Sequence, residues 1–293
     1  MNRDITEKFS DIGTLTGILL EERKKNYDRL LDNTVYSGYT DIDRTLNGFY
    51  VGSVNIFASR NHGHTLLPMA ISMARNNAVD FKRVTAILTM NDTADKVCAK
   101  IASAEAFMPY DNMVNGDNGS RDGWEVTKQL EHLHNAPLFI NDDRNLTLDE
   151  ISDIVTHLKK KYDLSVVFID DLRKISTDLQ QGNAIIDRLR DIATECKVAI
   201  FVNVDCMVPD YAPGDHHGIL TRVYCDYMPD SVLYVSGRDS TEHEDTDTLT
   251  VEIFSRTKYR EHTIQLRYSP SMHRIYNMPI PGCDGRIHLA PNK

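Results

Sequence analysis

The chain has 293 residues, 41% of them hydrophobic, which is enough to bury the core of one large α/β domain or two small ones. Its formal net charge of −10 argues against a broadly basic surface that coats nucleic acid. No apolar run approaches the ~20 residues needed to cross a bilayer, and the amino-terminal segment MNRDITEKFSDI is polar where a secretory signal would be apolar. We therefore expect a globular cytoplasmic protein that does not enter a membrane.

The five cysteines are scattered and include no CxxC pair, so the sequence predicts neither a disulfide framework nor a zinc site. The pair His216 and His217 lies in a segment rich in Pro, Gly and Asp, and adjacent residues rarely converge on one metal ion. We expect reduced thiols and a polar loop at these positions.

Residues 14–32 place apolar side chains at a spacing of three and four around a charged centre, which predicts an amphipathic helix. The apolar positions are Leu15, Ile18, Leu19, Tyr27, Leu30 and Leu31. Residues 34–52 contain three glycines and several aspartates and are typical of a turn-rich connector. We therefore expect an N-terminal linker helix within residues 1–33 and one α/β domain over residues 34–293.

The α/β domain is predicted from apolar runs that alternate with helical patterns, which indicates a mostly parallel sheet covered on both faces. The runs are residues 54–58, 84–89, 137–140, 165–170 and 198–204, and the helical patterns include 93–107, 147–161 and 184–196. Four further strands follow without helices, at 231–236, 249–254, 263–268 and 274–276, and predict an antiparallel extension. Residues 205–218 and the acidic segment 238–248 are predicted to be surface loops.

The stretch ASRNHGHT after the first strand has the layout of a Walker A loop, GxxxxGK(S/T), in which backbone N–H groups cradle phosphate. It keeps Gly63 and Thr65 but has His64 in place of the lysine. The residues predicted to bind a nucleotide are Ala58, Ser59, Arg60, Asn61, His62, Gly63, His64 and Thr65.

A second signal is the strand SVVFIDDL, which ends in Asp170 in the way that delivers a Walker B aspartate to magnesium. Buried strands also end in aspartates that cap the next helix. Because the strand accompanies the loop at 58–65, we favour a nucleotide site with Thr65 and Asp170 as the Mg²⁺ ligands.

The collinear order of these elements resembles the C-terminal RecA-like domain of DnaB-family replicative helicases over residues 14–277. The family strings TGFxxLD, AxRPxxGKT, SLEMSxExL, ApLyIDD, VIDYLQL and KNRxGxxGTVxLxF are similar to residues 37–43, 58–65, 89–97, 136–143, 166–174 and 255–268. The resemblance implies a RecA-like P-loop three-layer fold with a mostly parallel central sheet and antiparallel C-terminal strands. It also implies ATP or ADP with Mg²⁺ as ligands and a linker helix that packs on an adjacent subunit.

The departures from the family pattern fall on the chemistry. His64 lacks the fixed charge of the lysine, whose contact is worth ~1.5–3 kcal/mol. Asn91 aligns with the glutamate that polarises the attacking water, and an amide cannot act as that base. Asp205 aligns with the family's sensor glutamine.

The finger motif that reaches a neighbouring subunit has also changed. Ser255 and Thr257 align with its Lys and Arg, while Arg256 and Lys258 lie one residue along, which turns a strand side chain to the opposite face. Such fingers are worth ~10³–10⁵ in rate. The resemblance therefore implies a fold that is kept and a catalytic cycle that is lost.

The sequence leaves three functions open. The leading one is a non-hydrolysing structural or regulatory component of DNA replication, with weak or absent ATP/ADP and Mg²⁺ binding. In the second, a divergent but active ATP-dependent helicase, Arg60, His64 or Lys258 compensates for the lost groups. In the third, the chain is a nucleotide-binding sensor.

The expected partner is a second copy of the chain or a replicative helicase, bound through the N-terminal helix. The same helix could instead fold back on its own domain. We expect weak contact with nucleic acid, since residues 205–222 carry Asp205, Asp210 and Asp215 against a single Arg222.

Overall fold

The computed structural model describes residues 11–59, 66–117, 123–175, 177, 182–206, 223, 226–237, 247–255 and 258–278. The helices are α1 (Ile12–Asp32), α2 (Thr40–Leu46), α3 (Leu66–Arg75), α4 (Ala94–Ala106), α5 (Tyr110–Asn115), α6 (Gly123–His134), α7 (Leu148–Tyr162) and α8 (Gly182–Cys196). The strands are β1 (Thr34–Val35), β2 (Phe49–Tyr50), β3 (Val54–Ser59), β4 (Thr85–Leu88), β5 (Leu138–Asn141), β6 (Val166–Ile169), β7 (Ala199–Asp205), β8 (Ser231–Gly237), β9 (Asp247–Ser255), β10 (Lys258–Ser269) and β11 (Arg274–Asn277). Over these residues, no helix is long and apolar enough to span a bilayer.

The central sheet has nine strands in the order β11-β10-β9-β8-β3-β7-β6-β4-β5 among the described residues. Strands β3 and β6 are buried along their whole length, because helices cover both faces of a parallel sheet and leave no polar side to the strand. The predicted mostly parallel sheet with antiparallel C-terminal strands is confirmed. One detail was wrong: β8, the first of the four C-terminal strands, pairs parallel with β3, so the antiparallel part begins at β9.

Two hydrophobic cores lie on opposite faces of the sheet and make the fold three-layered. One face packs against α7 and α8, with Ile151 and Leu189 fully buried. The other face packs against α3 and α4 through residues such as Met69. Under α3 the rings of Phe57 and Phe168 both stack on Phe201, with centroid distances of 5.5 and 4.9 Å. These rings form the apolar part of the sheet that directly precedes its polar edge.

The connector between α1 and the sheet is more ordered than its glycines suggest. It contains the short helix α2 and a two-stranded sheet of β1 and β2. Gly38 adopts a φ of +82°, and the half-buried carboxylate of Asp43 accepts hydrogen bonds from the backbone N–H groups of Ser37 (2.7 Å) and Gly38 (3.1 Å). The segment predicted as a turn-rich connector therefore also contains regular secondary structure.

The N-terminal helix extends away from the sheet. The predicted helix at 14–32 is confirmed as α1, and every side chain from residue 11 to residue 24 is exposed. Ile12 is 79% exposed and Leu20 60%, values expected of apolar groups that their own domain does not cover. This part of the helix therefore does not fold back on the domain. The side chains of Tyr27, Leu30 and Leu31 lie outside the described residues, as do residues 207–218 of the predicted loop 205–218 and residues 238–246 of the predicted loop 238–248. The loop bounds were wrong at two ends, because Asp205 belongs to β7 and residues 247–248 belong to β9.

Candidate functional site

The segment predicted to bind phosphate joins a central strand to a helix. Strand β3 ends in Ala58 and Ser59, both buried, and α3 begins at Leu66. The strand before the loop and the helix after it are thus confirmed. Because α3 follows a strand that ends at the carboxyl edge of the sheet, its free backbone N–H groups open at that edge. The loop itself lies outside the described residues, namely Arg60, Asn61, His62, Gly63, His64 and Thr65.

A row of buried polar side chains follows the apolar parts of the central strands at this edge. The row consists of Thr89, Asp170, Asn203 and Ser59, each no more than 7% exposed. Each lies two positions after a member of the core under α3, namely Ile87, Phe168, Phe201 and Phe57. Since strand side chains alternate with period two, the polar row projects to the face that carries α3.

Asp170 is the centre of this row and is held by three donors. The hydroxyl of Thr89 donates to its Oδ2 at 2.8 Å, and the backbone N–H of Asn91 donates to the same oxygen at 3.2 Å. The side-chain amide of Asn91 donates to Oδ1. All three donors are uncharged, so the described residues around Asp170 fix the direction of its carboxylate and do not neutralise its charge.

The protonation of Asp170 follows from this environment. Burial raises the pKa of the Asp170 carboxyl, because the charged form loses water. The hydrogen bonds from Thr89 and Asn91 act in the opposite direction, and the neighbouring Asp171 adds to the rise. The net effect of burial and hydrogen bonding is a raised pKa of the Asp170 carboxyl. A raised pKa is expected of a carboxylate that a cation would stabilise.

Asn91 lies where the family resemblance places a catalytic glutamate. Its amide donates to Asp170, so the structure brings the two residues together as a hydrogen-bonded pair. An amide does not accept a proton from water at neutral pH, and Asn91 therefore cannot be a general base. The next residue, Asp92, is engaged by Lys100 in an ion pair.

Asp205 at the end of β7 is part of a separate ion-pair group. Arg173 lies on a 3-10 turn after β6, and its guanidinium contacts Asp171 (Nε–Oδ1, 3.1 Å) and Asp205 (Nη2–Oδ2, 3.4 Å). Its hydrogen bond to Asp171 raises the pKa of the Arg173 guanidinium further. Sequence reasoning missed Arg173, whose contact with Asp205 depends on the placement of β7 beside the turn.

Asn203 is the other residue that sequence reasoning missed. It is 4% exposed, and its side-chain oxygen finds no hydrogen-bond partner among the described residues. In the described parts of the chain, no group of three or more His, Cys, Asp or Glu side chains is arranged to hold a metal by itself. A Mg²⁺ site needs fewer protein ligands, since Mg²⁺ binds one or two carboxylates and keeps several waters. Asp170 with a free amide oxygen nearby fits that requirement.

Lys258, the finger candidate that the structure describes, has its backbone at the opposite edge of the sheet. Lys258 pairs with Ser255, which in turn pairs with Ser231 at the start of β8, and Ser231 pairs with Asn55. The backbone of Lys258 is therefore level with a position four residues before the end of β3, about 13 Å along the strand at ~3.3 Å per residue. Arg256 lies outside the described residues. The backbone of Lys258 thus lies away from the edge that carries its own chain's polar row.

A central strand that runs through a loop into a helix, with an aspartate after a neighbouring parallel strand, defines a RecA-like α/β domain. Solved structures share this fold. One of them, an ATPase domain, aligns with a TM-score of 0.72 and 17% identity, and the alignment covers 92% of this chain and 100% of that domain. A DnaB-like replicative helicase, solved to show its interactions with primase, aligns with a TM-score of 0.67 and 16% identity, over 84% and 63% of the two chains.

The chain belongs to the DnaB-like helicase C terminal domain family, whose model matches residues 34–205. It is 27% identical to the replicative DNA helicase DnaB of Leifsonia xyli subsp. xyli over 176 residues. This alignment covers 60% of this chain and 37% of that helicase. It is 26% identical over 208 residues to a probable replicative DNA helicase of Trieres chinensis, over 68% and 44% of the two chains. The chain thus spans less than half the length of these curated relatives.

Proposed function

We propose that the chain is a DnaB-like core protein that does not hydrolyse ATP and serves DNA replication as a structural or regulatory component. The contact between Asn91 and Asp170 carries this proposal. At the position where a water-activating carboxylate is expected, the chain has an amide whose side chain is used to orient the neighbouring aspartate. Hydrolysis without a base or water-orienting group loses a factor of about 10²–10⁴.

The charges at the edge support the same conclusion. Asp170, Asp171 and Asp205 are all buried or nearly so, and their charges oppose a polyphosphate. Two cations among the described residues are engaged in ion pairs, since Lys100 pairs with Asp92 and Arg173 pairs with two of the aspartates. With histidine in place of the loop lysine, a triphosphate would rely on backbone N–H groups and a metal ion.

The exposed apolar side chains of α1 support a role in association. Ile12, Leu15, Ile18 and Leu19 are between 49% and 79% exposed, which leaves an apolar surface on a helix that its own domain does not cover. A second copy of the chain, or a replicative helicase, is the partner that we propose for this surface. The proposed site of action is the cytoplasm, and direct contact with nucleic acid is proposed to be weak.

A second candidate function is nucleotide sensing without turnover. It is favoured by the free oxygen of Asn203 and by the frame of β3 and α3, which keeps helix N–H groups at the edge. Asp170, together with Thr65, would hold Mg²⁺, which supplies charge neutralisation for the phosphates. The chain's own contribution would be to orient the cation through a carboxylate that Thr89 and Asn91 already fix.

The test is a turnover and binding assay on the full chain. We expect no Mg²⁺-dependent release of phosphate from ATP above a blank, with self-association that depends on α1. Thermal stabilisation by Mg²⁺–ADP without turnover would support the sensing function. Turnover that disappears in Asp170→Ala would contradict the non-hydrolysing proposal and support the active helicase that the sequence left open.

A further inference from the structure

Asn203 lies one position beyond the last pair in the register of β6 and β7. The two strands are parallel with Ile169 opposite Val202, so Asp170, the first residue after β6, and Asn203 of β7 each follow that pair directly. On its other side, Asn203 pairs with Phe57 of β3. The buried amide of Asn203 therefore lies between the ring of Phe57 and the carboxylate of Asp170, on the face that carries α3. Neighbouring strands of a sheet are about 4.8 Å apart.

The free oxygen of Asn203 contrasts with another buried asparagine on the same face of the sheet. Asn55, which pairs with Phe201, is 2% exposed, and its amide is satisfied on both sides. Its nitrogen donates to Ser53 Oγ at 2.9 Å, and its oxygen accepts from Ser231 Oγ at 2.7 Å. Buried polar atoms in native proteins are rarely left without a partner, so the oxygen of Asn203 requires an explanation that Asn55 does not.

The chemistry of that oxygen selects its ligand. An amide oxygen beside a carboxylate is an acceptor next to a negative charge, so it repels phosphate oxygens and attracts a cation or a hydrogen-bond donor. The described donors around Asp170, from Thr89 and Asn91, already point at the carboxylate. A divalent cation that keeps its waters supplies the missing donor, because such waters donate strongly to oxygen acceptors.

We propose that Asn203 is a further residue of the nucleotide site, whose side-chain oxygen accepts a hydrogen bond from a water molecule on a divalent cation held by Asp170. This inference rests on the proposed nucleotide-binding function. Asn203 is a positioning residue: it acts on the cation through water and fixes the cation at the level of β7. The role explains why an amide is kept in the middle of an otherwise apolar strand.

The inference predicts two changes of opposite sign in Asn203→Leu. Replacing a buried acceptor that has no partner among the described residues by an apolar group of similar size should raise the thermal midpoint of the ligand-free chain. The affinity for Mg²⁺–ADP, measured by calorimetry, should fall about 10-fold to 100-fold, which is the usual effect of losing an outer-shell contact to a bound metal. Asn55→Leu is the matched control: it should lower the midpoint and leave the affinity unchanged.

A second variant keeps the test decisive if Asn203→Leu does not fold. Asn203→Asp places a carboxylate beside Asp170, so the ligand-free chain should lose stability and Mn²⁺ alone, followed by electron paramagnetic resonance, should bind more tightly than to the unmodified chain. If the unmodified chain binds Mg²⁺–ADP and both Asn203 variants bind like it, the inference is overturned while the nucleotide site stands. If the unmodified chain binds neither ligand, the nucleotide site and the inference fall together.

Discussion

Asn91 holds Asp170 with two hydrogen bonds, one from its backbone N–H to Oδ2 at 3.2 Å and one from its side-chain amide to Oδ1. The pair joins the loop after β4 to the residue after β6. A glutamate at position 91 could not make the second contact, because two carboxylates would repel each other. At position 91 the amide thus has a structural contact with the neighbouring aspartate.

The first prediction concerns this pair. Asn91→Ala removes the side-chain donor and leaves an oxygen of a buried carboxylate short of a partner, so we expect a loss of about 1–3 kcal/mol in the free energy of unfolding. Urea denaturation at pH 7 measures it. Asn145→Ala, at an exposed position, should change the stability by less than about 0.5 kcal/mol. Equal effects of the two variants would show that the pair is not structural.

A second prediction concerns the pH dependence of Glu105. Arg75 contacts it twice, by Nε to Oε2 at 2.6 Å and by Nη2 to Oε1 at 2.9 Å, and His132 lies 2.8 Å from Oε1. Burial alone would raise the pKa of the Glu105 carboxyl, but Arg75 outweighs it and holds that pKa below the ordinary value of 4.5. A lowered folded-state pKa means stability that is present above pH 4.5 and is lost as the pH falls through the folded-state pKa.

Glu105→Gln should therefore cost about 1.5–3 kcal/mol at neutral pH, the worth of a charged hydrogen-bonded contact. The cost should shrink as the pH falls below 4.5, where the unmodified chain loses the same contribution. Denaturation of both chains at several pH values between 3 and 7 measures this change in cost. The control is Glu195→Gln at an exposed position of α8. A cost that is constant across this range would show that the ion pair contributes nothing through its charge.

Gly38 provides a third prediction. Its φ of +82° strains any other residue, and a Cβ there would lie 2.5 Å from Nδ2 of Asn76. Gly116 has a similar φ of +71° but open space around it. Both alanine variants should pay about 1–3 kcal/mol for the backbone conformation, and Gly38→Ala should cost more because Asn76 must also move. Thermal denaturation of the two variants gives the difference, and equal costs would count against the contact.

The exposed surface of α1 leads to a fourth prediction. Leu15→Asp combined with Leu19→Asp changes side chains that are 49% and 56% exposed, so the monomer's free energy of unfolding should change by less than about 0.5 kcal/mol. Self-association, measured by sedimentation over a range of concentrations, should be lost. Glu22→Ala on the same helix should leave it intact. Unchanged assembly of the double variant would exclude α1 as the contact surface.

Much of the architecture could be predicted because it depends on repeated patterns. The buried parallel strands are continuous apolar runs, and α7 begins with Thr147 and Glu150 in a capping box that the sequence itself encodes. The direction of β8 was not predictable in this way. An apolar run has the same pattern in a parallel and an antiparallel strand, and the long segment before it gives no directional signal.

The site was predicted in part. Asp170 was found because it ends an apolar strand before a second aspartate, and Asn91 was found through the family resemblance. Asn203 was missed because one amide inside a strand makes no periodic pattern, and its importance depends on the neighbours that the sheet register brings to it. Arg173 was missed because a cation on a short turn has no recognisable partner until β7 is placed beside it.

The backbone of Lys258 lies at the far edge of the sheet from the polar row, so one copy of this chain would present its two surfaces that depart from the family pattern to two different neighbours. If a copy that does not hydrolyse ATP entered a ring of active subunits, both its own cleft and the cleft that its Lys258 side faces would be affected. Inhibition of such a ring would then rise faster than the fraction of subunits replaced. Titrating the chain into an active helicase and plotting unwinding against that fraction would give a curve below the straight line, whereas a straight line would mean that each copy inactivates a single cleft.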